Sequence, residues 1–93
     1  MSAPTESASA QFESAQVRVK TLKSTPNPAE LLELYALFKQ GTQGDVSGSR
    51  PGMLDFKGRA KFDAWDKKKG LSREAAQAAY VKLVLELEGR YGS

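Results

Sequence analysis

The chain has no cysteine and no histidine among its 93 residues, and a single tryptophan. Without cysteine it has neither a disulfide scaffold nor a thiolate nucleophile, and without histidine the usual imidazole base is missing. Zinc sites built on sulfur or imidazole are excluded on the same grounds. The lack of cysteine leaves the redox compartment open, so a cytoplasmic location is the default expectation. No apolar run approaches the roughly 20 residues that cross a bilayer. The opening stretch, Met1 to Ala10, has neither the basic start nor the apolar middle of a secretion signal. Residues 1–9 are expected to form a flexible tail ahead of one domain spanning 10–93.

What is present suits a small water-soluble globular domain, with 40% apolar and 27% charged residues. Fourteen Lys/Arg outnumber eleven Asp/Glu, for a net charge of +3. The excess is concentrated. Between Lys39 and Lys69 lie eight cations and four Asp, a local +4, while the rest of the chain sums to −1. A basic centre between near-neutral flanks points to an anionic partner, although a solvated face also explains a lysine run.

Apolar residues recur at helical spacing in four stretches, and none alternates with period two, so the fold class is all-α. Phe12, Ala15, Val19 and Leu22 make the first stripe. Asn27-Pro-Ala-Glu30 then provides a cap residue, Pro at the first helical position and an acid at the third. Leu31, Leu34, Tyr35 and Phe38 carry that second helix to Gly41 and Gly44. From Gly44 to Phe56 the period disappears into a long loop, with Pro51-Gly52 suited to a type II turn. Met53, Leu54 and Phe56 are three large apolar residues in that region, and each is expected to lie against something.

A third helix is expected from about Gly58 to Lys67-Lys-Lys69, closed by Gly70. Ser72 caps a fourth, whose stripe is Ala76, Tyr80, Leu83, Val84 and Leu87. Short connections everywhere except the loop between the second and third helices predict a small four-helix bundle.

Aromatic residues and lysines recur as neighbours in this pattern. Tyr35 and Lys39 are one turn apart on the second helix, with Phe38 between them, and Lys61 and Trp65 are one turn apart on the third. Tyr80 sits on the fourth. Rings that stack and ammonium groups that neutralise phosphate together suit a nucleotide. Periodicity alone favours Tyr35, Phe38, Tyr80 and Trp65 as core, and Lys39 can also snorkel beside an apolar stripe. Lys67 to Lys69 suit a solvated helix end. A nucleic-acid-binding module is the weaker alternative, since four Asp interrupt the basic segment and no helix-turn-helix signature is present. An enzyme would need Asp, Glu or Lys as its base, and no suggestively paired carboxylates occur.

The run Tyr35-Ala-Leu-Phe-Lys-Gln-Gly-Thr-Gln-Gly-Asp45, then Arg50-Pro-Gly-Met-Leu-Asp-Phe-Lys-Gly-Arg-Ala-Lys-Phe-Asp-Ala-Trp65, with Gly70 and Tyr80, resembles the acyl-CoA-binding protein family. The resemblance extends from about Ala10 to Tyr91. It implies an up-down-down-up bundle that is not an enzyme, needs no cofactor and carries medium- to long-chain acyl-CoA. Such a carrier acts as a monomer and meets acyl-CoA-using enzymes and membranes transiently. By matching position, Tyr35, Lys39 and Lys61 would hold the ribose 3′-phosphate. Phe38 and Tyr80 would meet the adenine end, and Lys20 would add charge from the first helix. Leu31, Leu32, Met53 and Phe56 would line the acyl and pantetheine side, with Ala36, Leu37 and Lys57 in the same surface. The family usually has Tyr at position 38, Trp at 62 and Ala at 41.

Overall fold

A computed structural model describes residues 7–92. The chain forms α1 (Ala8–Arg18), continued by a 3-10 turn (Val19–Thr21), then α2 (Pro28–Gln43), α3 (Phe56–Asp66) and α4 (Arg73–Tyr91). No strand occurs among the described residues. Of the tail expected over 1–9, residues 1–6 lie outside the described residues. Ser7 instead caps α1, its Oγ accepting from the Ala10 N–H at 3.1 Å, so Ala8 and Ser9 are helical.

Local chemistry sets the helix ends. Asn27 and Glu30 close a reciprocal capping box on α2, at 2.8 and 2.9 Å. Ser72 Oγ takes the Ala75 N–H at 3.0 Å to start α4. The third helix begins two residues earlier than expected because Asp55 caps it, accepting from the Gly58 N–H at 2.9 Å. It also ends earlier, at Asp66. The N–H groups of Lys68, Lys69 and Leu71 then bond three residues back, which winds Lys67 to Gly70 into tight turns rather than a final helical turn.

Side-chain pairs between helices give the directions. Phe12 meets Tyr80 and Arg18 meets Glu88, so α1 and α4 run parallel. Glu30 joins Arg90 while Gly41 joins Gln77, which makes α2 and α4 antiparallel. Tyr35 lies beside Lys61 and Lys39 beside Trp65, so α2 and α3 are parallel. The result is the up-down-down-up bundle. Its parallel α2 and α3 require the long connection between them, because a short turn reverses direction.

The core lies between α1, α2 and α4, with Phe12, Ala15, Leu34, Leu37, Tyr80, Val84 and Leu87 in one cluster. Only Trp65 of α3 is buried. Gly41 sits inside α2 where α4 comes close, since a Cβ there would stand 3.0 Å from Gln77 Cγ. A side chain at this position would crowd Gln77 and the Phe12 ring.

Two expectations for the long loop fail. Gly52 does not have the left-handed backbone that a type II turn needs at that position, and the turn instead spans Gly52 to Asp55, closed at 3.0 Å. Nor do the apolar residues find cover. Met53, Leu54 and Phe56 are 78%, 90% and 75% exposed.

Candidate functional site

Polar contacts anchor the surface formed by α2 and α3. Gln40, fully buried near the end of α2, donates through Nε2 to Asp45 Oδ1 at 2.8 Å and to the Leu71 carbonyl at 2.7 Å. Asp45 Oδ1 also accepts the Gly70 N–H at 2.8 Å, so one carboxylate ties the end of α2 to the turn after α3. These hydrogen bonds, from Gly70 first and Gln40 second, hold the Asp45 carboxyl below its ordinary pKa. With both amide hydrogens given to those acceptors, Gln40 Oε1 finds no partner among the described residues. Trp65 Nε1 donates to the Gly44 carbonyl at 2.9 Å, which fixes the indole between the two helices.

On this frame the aromatic and cationic residues pair across helices, not along them. Lys61 Nζ stands 5.3 Å from the centre of the Tyr35 ring, and Lys39 Nζ stands 5.0 Å from that of Trp65. Both separations fall within the range of cation–π attraction. Among the described residues no ion pair engages Lys39, Lys57 or Lys61, whereas Arg50 and Lys68 are paired with Asp63 and Glu33. The unpaired ammonium groups are available to an anion.

Beside them lies a groove of about 350 Å³ lined by Pro28, Leu31, Leu32, Tyr35, Phe56, Lys57, Ala60 and Lys61. It falls in the range of ligand sites. A neighbouring hollow of about 370 Å³ shares Leu32 and Ala60 but is walled by Glu33, Asp63, Lys67 and Lys68. Its two carboxylates are already paired with cations, so the first groove has the chemistry for an amphipathic anion: an apolar floor with ammonium groups at one side.

Of the residues singled out in the sequence, Leu31, Leu32, Tyr35, Phe56, Lys57 and Lys61 line the groove together. Lys39 and Trp65 are not among the groove's lining residues; they lie one turn further along α2 and α3 than Tyr35 and Lys61. Ala36 and Leu37 are buried instead, 0% and 3% exposed, within the helix packing. The Tyr80 ring packs edge-on against Phe12 at 5.1 Å, and burial pushes its hydroxyl pKa up. Phe38 lies 6.1 Å from the same Phe12 ring, half-buried. Met53 stands outside the groove, and Lys20 sits in the 3-10 turn that packs toward α4. Pro28 and Ala60 line the groove without having been singled out. Their signal was one of position, since Pro28 starts α2 and Ala60 lies one turn before Ala64 on the face α3 turns to α2.

The family described as Acyl CoA binding protein matches residues 9–84. An acyl-CoA-binding protein homolog of Caenorhabditis elegans is 58% identical over 82 residues, covering 88% of this chain and 95% of that one. The crystal structure of Oryza sativa acyl-CoA-binding protein 2 superposes with a TM-score of 0.86 at 38% identity, covering 90% of this chain and 93% of that one. The structure from Moniliophthora perniciosa gives 0.85 at 40% identity, over 96% and 88% of the two chains. The four-helix fold is the one these solved acyl-CoA-binding proteins share. The chain belongs to the acyl-CoA-binding protein family.

Proposed function

We propose that this protein is a monomeric, non-enzymatic carrier that binds medium- to long-chain acyl-CoA and holds it as a cytoplasmic pool. Acyl-CoA-using enzymes and membranes would be its transient partners. The observation that carries this reading is the pair of lysines on neighbouring helices, each lying over a ring and neither paired with an acid, beside an apolar groove. Coenzyme A offers a 3′-phosphate and a pyrophosphate to those ammonium groups, which as flexible point charges can follow several oxygens. Tyr35, Lys39 and Lys61 hold the 3′-phosphate in this reading. Leu31, Leu32, Phe56 and Ala60 cover the acyl chain. Phe38 and Tyr80 support the adenine end from beneath, through the helices they pack.

Each fully buried methylene is worth about 0.8 kcal/mol, so two more carbons tighten binding roughly tenfold until the groove is full. Among the described residues near the groove, Asp55 is engaged as the cap of α3 and Asp63 by Arg50, which supports the non-enzymatic part of the reading. The reading needs no cofactor.

Calorimetric titration with palmitoyl-CoA and with free CoA tests it. Tight binding of the thioester, weaker binding of CoA and an intact thioester after long incubation are expected. Equal, weak heats for the two ligands would overturn the carrier reading, and thioester cleavage by pure protein would overturn the non-enzymatic part.

A further inference from the structure

The apolar groove has a continuation. A second hollow of about 370 Å³ adjoins it at Leu32 and Ala60, whose side chains belong to both. Ala29 on α2 and Ala64 on α3 extend the surface that those two begin, and their small side chains take up little of the space. A hydrocarbon leaving the groove past Leu32 and Ala60 therefore keeps apolar contact for a further stretch.

Charge then takes over. Lys67 and Lys68, seven and eight residues beyond Ala60, line the same hollow with Glu33 and Asp63. Lys68 Nζ donates to Glu33 Oε2 at 2.6 Å, which ties α2 to the turn after α3, and Arg50 holds Asp63 by two bonds at 2.8 and 2.6 Å. The Lys68–Glu33 bond matters most here, because it spans the two elements between which a chain would pass. Their side chains are 23% and 44% exposed, so water still solvates both. A methyl group pressed against the pair would strip that water without replacing its hydrogen bonds. Turning aside would leave the methyl group in solvent, with no burial to gain.

We infer that the Glu33–Lys68 ion pair is the stop that sets the longest acyl chain this protein rewards with tighter binding. The inference rests on the carrier reading and sharpens it, since it assigns the end of the acyl site to two residues. Each added pair of methylenes tightens binding roughly tenfold until the chain meets the ion pair, and further carbons add nothing. Ala64 acts with the pair by leaving the passage open.

Calorimetric titration with saturated thioesters from octanoyl- to eicosanoyl-CoA tests it. Wild-type protein is expected to show a break, where affinity stops climbing with chain length. In the double variant Glu33→Leu with Lys68→Met, apolar side chains replace the pair. Its affinity for octanoyl-CoA is expected to match the wild type, and the climb to continue past the wild-type break, about tenfold tighter for the first chain two carbons beyond it. Exchanging the charges, Glu33→Lys with Lys68→Glu, rebuilds the pair and is expected to restore the break. Tm of both double variants should stay near wild type, because a partly exposed ion pair adds little to stability. Ala64→Leu fills the passage and is expected to move the break the other way, to shorter chains. A break that stays put in the apolar double variant or in Ala64→Leu overturns the proposal, as does a charge-exchanged pair that behaves like the apolar one. So does a wild-type curve that climbs to eicosanoyl-CoA without levelling. Equally weak heats for CoA and every thioester would sink the carrier reading and the stop with it, whereas chain-length dependence with an unmoved break removes the stop and leaves the carrier standing.

Discussion

The two sides of α2 are finished differently. Toward α1 and α4 it meets a closed core, in which Ala15, Val84 and Leu87 are all 0% exposed. There the polar residues are tied as well: Arg18 bonds Glu88, and Glu30 takes both Arg90 and the Tyr91 hydroxyl. Toward α3 it buries Trp65 and little else, leaving Leu31 at 45% and Phe56 at 75% exposure beside unpaired lysines. Folding alone would favour covering those apolar surfaces, since each fully buried large side chain is worth about 1.5–3 kcal/mol. The first side is packed for stability, and the second keeps its apolar and cationic groups available. Mutations on the two sides should therefore separate stability from binding.

The largest effect belongs to the closed side. Leu87→Ala should cost about 2–5 kcal/mol through lost burial and the cavity left behind. For a domain of this size that lowers Tm by roughly 10 °C or more in thermal denaturation. Palmitoyl-CoA affinity of the folded protein should hardly move. Loss of affinity with an unchanged Tm would break the division between the two sides.

On the open side the order reverses. Lys61→Ala and Lys39→Ala should each weaken palmitoyl-CoA binding by about 1.5–3 kcal/mol, tenfold or more in calorimetry, if the contact is charge-assisted. Their cost in stability is limited to a cation–π contact, about 0.5–1 kcal/mol at an exposed site. A variant that unfolds while keeping its affinity would remove these lysines from the phosphate site.

Smaller still is the effect at the start of α3. A Cβ on Gly58 would stand 2.3 Å from Asp55 Oδ2, so Gly58→Ala should push the capping carboxylate away. The loss of a cap is worth about 1 kcal/mol. A lower urea midpoint and faster amide exchange at the first turn of α3 are the expected outcome, and unchanged exchange there would show that Asp55 adapts without releasing its bond.

Much of this was legible in the sequence where the physics is local. Asn27-Pro-Ala-Glu30 contains its own capping box, and the stripes of Phe12, Tyr80, Val84 and Leu87 report the side that faces the core. Tertiary partners were not legible. Tyr35 and Lys39 are neighbours along α2, yet each takes its partner from α3, because parallel packing sets Lys61 and Trp65 opposite them. Gln40 and Asp45 stand in the run that carries the family resemblance with no role assigned to them, and they tie the end of α2 to a turn about 25 residues further on. Met53 and Leu54 broke the rule that apolar residues find cover, because polar ties on either side of them hold the loop open. A periodicity argument has no access to such ties.

The smallest expected effect is a pH dependence that both sides share. With no histidine in the chain, no side chain has its ordinary pKa between pH 5 and 8, so Tm should be flat there. Three carboxylates lie below their usual pKa: Glu30, first through the Tyr91 hydroxyl and then the Asn27 N–H; Asp45, through Gly70 and Gln40; and Asp63, through Arg50. A depressed folded-state pKa adds stability that is present above the unfolded value and lost as pH falls through the folded one. Unfolded Asp and Glu titrate near about 4, so Tm should begin to fall only below that region. Tyr91 has the opposite sign, raised first by its bond to Glu30, so its contribution should fade as pH climbs above about 10. Tyr91→Phe removes the strongest hydrogen bond on Glu30, lets its folded-state pKa rise toward the unfolded value, and should lower the neutral-pH Tm while making the acid limb shallower. Asp45→Asn removes a titrating group from the open side and should make that limb shallower. If both variants keep the wild-type profile below pH about 5, the acid limb is not set by these bonds, and the closed and open sides do not share it.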